Sequence, residues 1–319
     1  MELIQNSELI MQNSEFIMHN FMRRVYYLLF VAALALAVSC GKKESKDVVR
    51  IAYLPITHAL PLVELQGAEG VEVELVRYGS WPELLDALNT GRVDGASVLI
   101  ELAMAAKAQG IGLTAVALGH TDGNVIVVSE GINSVEDLKG KTFAIPHRAS
   151  SHHILLQEAL ARGGLSISDV NVVELAPPEM PSALSGGQIA GYCVAEPFGA
   201  MGLKVAKGKV LYRSEELWPN SICCALVLND AAYKQKKELI DKVIAAYRNN
   251  GKQLEDKEKA LVTAKRILSQ PDDVLEQSLK WIDYSSLDIT EEAYSNLASK
   301  VKQYGILGNP PSFDEFVAK

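Results

Sequence analysis

Four cysteines in 319 residues, at positions 40, 193, 223 and 224, show no repeated spacing, which argues against a disulfide framework. Basic blocks are missing beyond Lys42-Lys43, and the chain carries a net charge of −8, so nucleic acid is not an expected partner. That acidity does not exclude an anionic ligand, because a small site is governed by its local donors. The sequence has neither a G-x-S-x-G elbow nor an H-E-x-x-H helix. Its paired glycines, Gly163-Gly164 and Gly186-Gly187, stop helices and do not form phosphate loops. No nucleophile is evident and no cofactor is called for. The apolar run Val25–Val38, at 14 residues, is too short for a comfortable bilayer span.

What is there begins with that run. Arg23 and Arg24 precede it, and Ala37-Val38-Ser39 leads into Cys40, after which the chain turns polar at once. This is the layout of a secretory signal. The closing Cys resembles a bacterial lipobox, which implies cleavage before Cys40, a lipid on its sulfur, and a location outside the cytoplasmic membrane (periplasm or cell surface). Residues 1–21 hold three near-copies, Glu2–Ser7, Glu8–Ser14 and Glu15–Asn20, too short for a solenoid. They are expected to be a mis-assigned extension ahead of an initiator at Met22, with 22–39 as signal peptide and 40–47 as tether. Removing residues 1–39 from 319 leaves 280, enough for two cores. Cys193 bridged to Cys223 or Cys224 stays open beside the plainer reading of buried free thiols, with Cys223-Cys224 acting as small hydrophobes in an apolar run.

From Val48 the chain alternates between two kinds of segment. Strands are expected at Val48–Leu54, Val71–Tyr78, Gly95–Leu99, Leu113–Leu118, Asn124–Ser129, Lys141–Pro146, Val170–Leu175, Gly191–Ala195, Lys209–Tyr212 and Cys223–Asn229. Several are apolar at consecutive positions, as in strands covered on both faces. Helical patterns at Trp81–Thr90, Ile100–Gln109, His153–Arg162 and Met180–Ser185 end at glycines. The alternation implies α/β lobes with open parallel sheets. After Asn229 only helices are expected: 230–256, 257–269, 271–281 and 290–304. The first lobe is read as 48–130 with 222–319, including the helical tail, and the second as 131–221, joined by a two-strand hinge.

The stretches Ser134-Val135-Glu136-Asp137-Leu138-Lys139-Gly140-Lys141-Thr142 and Gly191-Tyr192-Cys193-Val194-Ala195-Glu196-Pro197-Phe198 resemble blocks of the nitrate/sulfonate/taurine/bicarbonate group of periplasmic substrate-binding proteins. So does the Ala176–Ile189 segment, and Leu85–Ala96 repeats its theme in the first lobe. Tyr53-Leu54-Pro55-Ile56-Thr57-His58-Ala59 resembles the group's first strand and loop. The resemblance covers roughly Val48–Lys319; Ala190 departs from it, standing where the group carries Asp. It implies a type II periplasmic-binding fold and a monomeric, non-enzymatic receptor. Such a receptor closes two lobes on a small anion or organic solute and delivers it to the permease and ATPase of an ABC-type importer. Two alternatives stay open: a thiamine-pyrimidine-precursor binding protein or related biosynthetic enzyme, and a metal receptor using His58, His120, His152 and Glu196.

In open α/β sheets, ligands sit beyond the carboxyl ends of strands. The residues there include Thr57, His58, Ser80, Trp81, Glu101, His120, Ser150, Ser151, His152 and Glu196. Ser150 and Ser151 open a helix whose free N–H groups and dipole favour an anion, although either Ser is also a good N-cap. Trp81 offers an aromatic wall, and Glu196 an acceptor for an amine, a metal or a closing contact. His152 and His153 point about 100° apart on a helix, so that pair cannot face one metal. No metal ligand is assigned on sequence alone.

Overall fold

The structure is a computed structural model, and it describes residues 48–318. The lipobox, the repeats and the tether lie outside the described residues. Among the described residues, no helix is long and apolar enough to cross a membrane.

The strands in chain order are β1 Val48–Tyr53, β2 Glu72–Arg77, β3 Gly95–Leu99, β4 Leu113–Leu118, β5 Thr121–Asp122, β6 Asn124–Val128, β7 Thr142–Ile145, β8 Asn171–Glu174, β9 Gly191–Ala195, β10 Lys209–Arg213, β11 Cys224–Asn229 and β12 Ile282–Asp283. They build one five-stranded sheet in the order β2-β1-β3-β11-β4 and a second in the order β10-β6-β9-β7-β8, with β12 and β5 pairing as a small ribbon. β3 and β9 are buried at every position, as strands covered by helices on both faces must be. This is the type II periplasmic-binding-protein fold.

The sheets are mixed rather than parallel. β11 runs antiparallel to both β3 and β4, and β6 antiparallel to β9 and β10. Both are strands on which the chain has just crossed from one sheet to the other. The crossings are the links 119–123 and 214–223. The sequence reading carried the first lobe to residue 130, whereas β6 belongs to the second sheet. Positive φ at Asp122 and Gly123 lets the chain turn away directly after β4.

The tail differs as well. The 230–256 stretch is two helices, Asp230–Gln235 and Lys237–Gln253, and the latter packs on a 3-10 segment, Thr57–Gly67. The helix Asp272–Ser278 packs on Phe198–Val205 beside the second sheet. Lys204 binds Asp273 at 2.7 Å, and Lys300 pairs with Glu158. The tail therefore touches both halves, not the first alone.

Candidate functional site

Two local features bring the crossings together. Gly119 donates its N–H to the Cys224 carbonyl at 2.8 Å. A Cβ at this position would sit 2.6 Å from the His58 carbonyl, so only glycine allows the approach. The next residue, His120, is thereby set against His58, with ring centroids 3.5 Å apart and the ring planes tilted by 33°. On the return crossing, β11 starts only at Cys224, so Cys223 is free of strand alternation. Both sulfurs reach the same spot, 3.9 Å apart, and Cys224 Sγ lies 3.5 Å from His58 Nδ1.

His58, His120, Cys223 and Cys224 are all buried, and their ligand atoms lie within 4.8 Å of one another. Around them are further buried groups without partners: both Glu101 oxygens, both nitrogens of His120 and of His152, the Ser151 hydroxyl and the Asn124 amide nitrogen. Such groups are expensive to bury unpaired. Burial holds His58 down at about 4, helped by His120, so its ring is neutral near pH 7. Burial lowers His152 too, against the opposing pull of Cys223. Burial raises Glu101 well above the usual carboxylate range, and Cys223 adds to it. The Ser151 amide opposes this shift, although neither Glu101 oxygen has a hydrogen-bond partner. Burial alone would raise the Cys223 thiol, but Cys224, His152, His120 and His58 outweigh it and hold Cys223 well below its ordinary value. Cys224 goes up, through burial and the neighbouring Cys223.

Of the residues picked from sequence, the structure brings together His58, Glu101, His120, Ser151 and His152. The others have different work. The Thr57 hydroxyl donates to the Glu196 carbonyl at 2.9 Å, and the Thr57 carbonyl accepts from Tyr284 at 2.8 Å. Ser150 is the N-cap of the helix Ser151–Arg162, accepting from the His153 N–H. The Glu196 carboxylate accepts from the Ala200 N–H and the Ser278 hydroxyl, each at 3.0 Å, so it ties the loop after β9 to the tail. Its other oxygen, Oε1, is buried without a partner, and the cluster of four donors does not include it. Trp81 is packed into the larger core. Ser80 is half-buried beside Gly79, which lines a separate cavity of about 270 Å³ with Arg77, Tyr78 and Phe198.

Cys223, Cys224 and Asn124 escaped the sequence reading as site residues. The cysteines are free and fully buried, as is Cys193. Their signal was the pair of adjacent thiols at the exact return to the first sheet, set against a histidine after the first strand.

Residues 42–268 match the NMT1-like family, and the chain belongs to it. The ligand binding component of an ABC-type import system from Staphylococcus aureus, solved with zinc bound, is 39% identical, with a TM-score of 0.82 over 85% of this chain and 96% of that one. The nitrate import ATP-binding protein NrtC of Synechocystis is 30% identical over 197 residues, covering 53% of this chain and 29% of that protein. The taurine-binding periplasmic protein of Escherichia coli is 31% identical over 196 residues, 60% of this chain and 58% of that protein. The chain thus spans less than two thirds of the length of these two curated relatives.

Proposed function

We propose that this protein is the solute-binding component of an ABC-type importer. It is exported, held at the membrane by a lipid on Cys40, and works as a monomer without catalysing a reaction. Its two lobes, each built on one five-stranded sheet, close on a small solute and present it to a permease driven by an ATPase subunit. Membership of the family and likeness to an import-system ligand-binding component support the reading.

The observation that carries it is the convergence of unpartnered buried polar atoms from both halves. Glu101 comes from the first sheet's side, Ser151 and His152 from the second, and His120 and Asn124 from or beside the crossings. A cluster so placed is completed by a ligand that closure encloses. No lysine or arginine belongs to it, and burial holds His58 down at about 4 and lowers His152 as well. It therefore holds its solute by coordination or hydrogen bonds, not by pairing an anion with a fixed cation. Nitrate or taurine, by contrast, would be met by the Ser151 hydroxyl and the helix start alone.

A thermal-shift panel on the reduced protein tests this, with nitrate, bicarbonate, taurine, an alkyl sulfonate, a pyrimidine and divalent metals. The expected result is one stabilising class whose shift is lost in Glu101→Gln or Ser151→Ala. A shift that survives both of these substitutions and His120→Ala as well would move the binding site elsewhere.

A further inference from the structure

We infer that His58, His120, Cys223 and Cys224 form a four-coordinate site for a divalent transition metal of the zinc class. The inference takes its location from the proposed solute site, and it stands or falls without the transport role.

The geometry comes first. A tetrahedral zinc with Zn–S near 2.3 Å and Zn–N near 2.0–2.1 Å has ligand–ligand edges of about 3.8 Å for S···S and about 3.6 Å for S···N. The sulfurs of Cys223 and Cys224 are 3.9 Å apart, and Cys224 Sγ is 3.5 Å from His58 Nδ1. Two edges of the tetrahedron are therefore already in place, and all four donors lie within 4.8 Å of one another.

Donor chemistry comes next. Two imidazoles and two thiols are a borderline-to-soft set that suits zinc and its neighbours, whereas calcium and magnesium take oxygen ligands. His58 Nε2 faces the Gly123 carbonyl at 3.4 Å. A proton on Nε2 donated to that carbonyl leaves Nδ1, the atom facing Cys224, with its lone pair free. Metal-bound histidines are fixed by their second nitrogen in the same way. Without a metal, the sulfurs offer only weak hydrogen bonds, and both nitrogens of His120 stay unpartnered inside the protein. A bound ion resolves both at once. Both Glu101 oxygens and both His152 nitrogens are likewise buried without partners.

The test is cobalt titration of the reduced, folded full chain, followed by displacement with zinc. One equivalent of Co²⁺ is expected to give sulfur-to-cobalt charge-transfer absorption and the intense visible bands of a tetrahedral ion, both abolished by Zn²⁺. Competition with a chromophoric chelator should show Cys223→Ser and His120→Ala weakening zinc by more than the roughly 10–100-fold of an outer-shell loss. Cys193→Ser, at a buried thiol outside the set, should leave affinity unchanged. Should a ligand variant fail to fold by circular dichroism, the wild-type cobalt spectrum still decides, because absent thiolate bands overturn the assignment. Zinc affinity equal in folded Cys223→Ser would overturn it as well. If metal binding fails while another solute in the panel still stabilises the protein, only the metal site is lost. If zinc binds, yet nothing closes the lobes, the receptor reading fails instead.

Discussion

Glu196 shows how one buried carboxyl can set a pH dependence. It is fully buried, and two hydrogen bonds to its Oε2 only partly offset the loss of water, so burial pushes it up to about 7. An acid raised in the folded state keeps its proton while the unfolded chain, near 4.5, has lost it. Its contribution to stability is complete below about pH 4.5 and is lost as pH rises through about 7. A shift of that size corresponds to about 3 kcal/mol. His58, held at about 4, works the other way: stability is gained as pH rises from about 4 to 6.5. Glu196→Gln isolates the first effect. The amide keeps an acceptor for Ala200 and Ser278 and removes the titration. Denaturant unfolding at pH 5, 6 and 7.5 should show the wild type losing stability relative to the variant across that window. Parallel curves would clear Glu196 of the role.

At the scale of elements, Lys236 explains why the 230–256 pattern is not one helix. Its ammonium reaches both Asp94 oxygens, at 2.8 and 2.9 Å, and the Val48 carbonyl at 2.7 Å. Asp94 in turn accepts the Arg50 N–H at 2.7 Å. The pair pins the start of the long helix Lys237–Gln253 to the N-terminal ends of β1 and β3, and the helix breaks there. Lys236→Met would leave Asp94 as an uncompensated buried charge. Both groups are about a tenth exposed, so the lower end of the range for such losses applies, about 3 kcal/mol. Equilibrium unfolding would show this, and a change under about 1 kcal/mol would mean that water already screens the pair.

The same contrast explains what the sequence could tell. Apolar runs with glycine stops mark strands and helices well, because burial on both faces leaves that pattern. Strand direction leaves none, so the antiparallel β6 and β11 read like their parallel neighbours. The tail helix was one run by periodicity, since a single lysine with a partner 142 positions away carries no local signal. At the site, five of ten candidates converge, because the loops after strands are fixed by topology. Cys223 and Cys224 were taken for filler: adjacent residues in a strand face opposite ways, and only the late start of β11 turns both inward.

On the scale of the whole molecule, the two halves touch through more than the two crossings. The Thr57 N–H and hydroxyl both donate to the Glu196 carbonyl, at 2.9 Å each, linking the loop after β1 to the loop after β9. Ser278 reaches Glu196 from the tail. In the proposed closure of the lobes, these bonds would be made in the closed state and bias its population. Removing one hydroxyl should weaken closure without touching the metal donors. A net hydrogen bond is worth about 0.5–1.5 kcal/mol, so Thr57→Val should loosen ligand affinity roughly two- to tenfold. The near-isosteric side chain keeps the backbone bond and the packing. Small-angle scattering should show a smaller radius of gyration for the zinc-loaded wild type than for the stripped protein. In Thr57→Val the stripped form should be at least as open, and more zinc should be needed to reach the compact state. Identical radii with and without ligand would mean that the halves do not separate, and Thr57 would then be a structural tie within one rigid body.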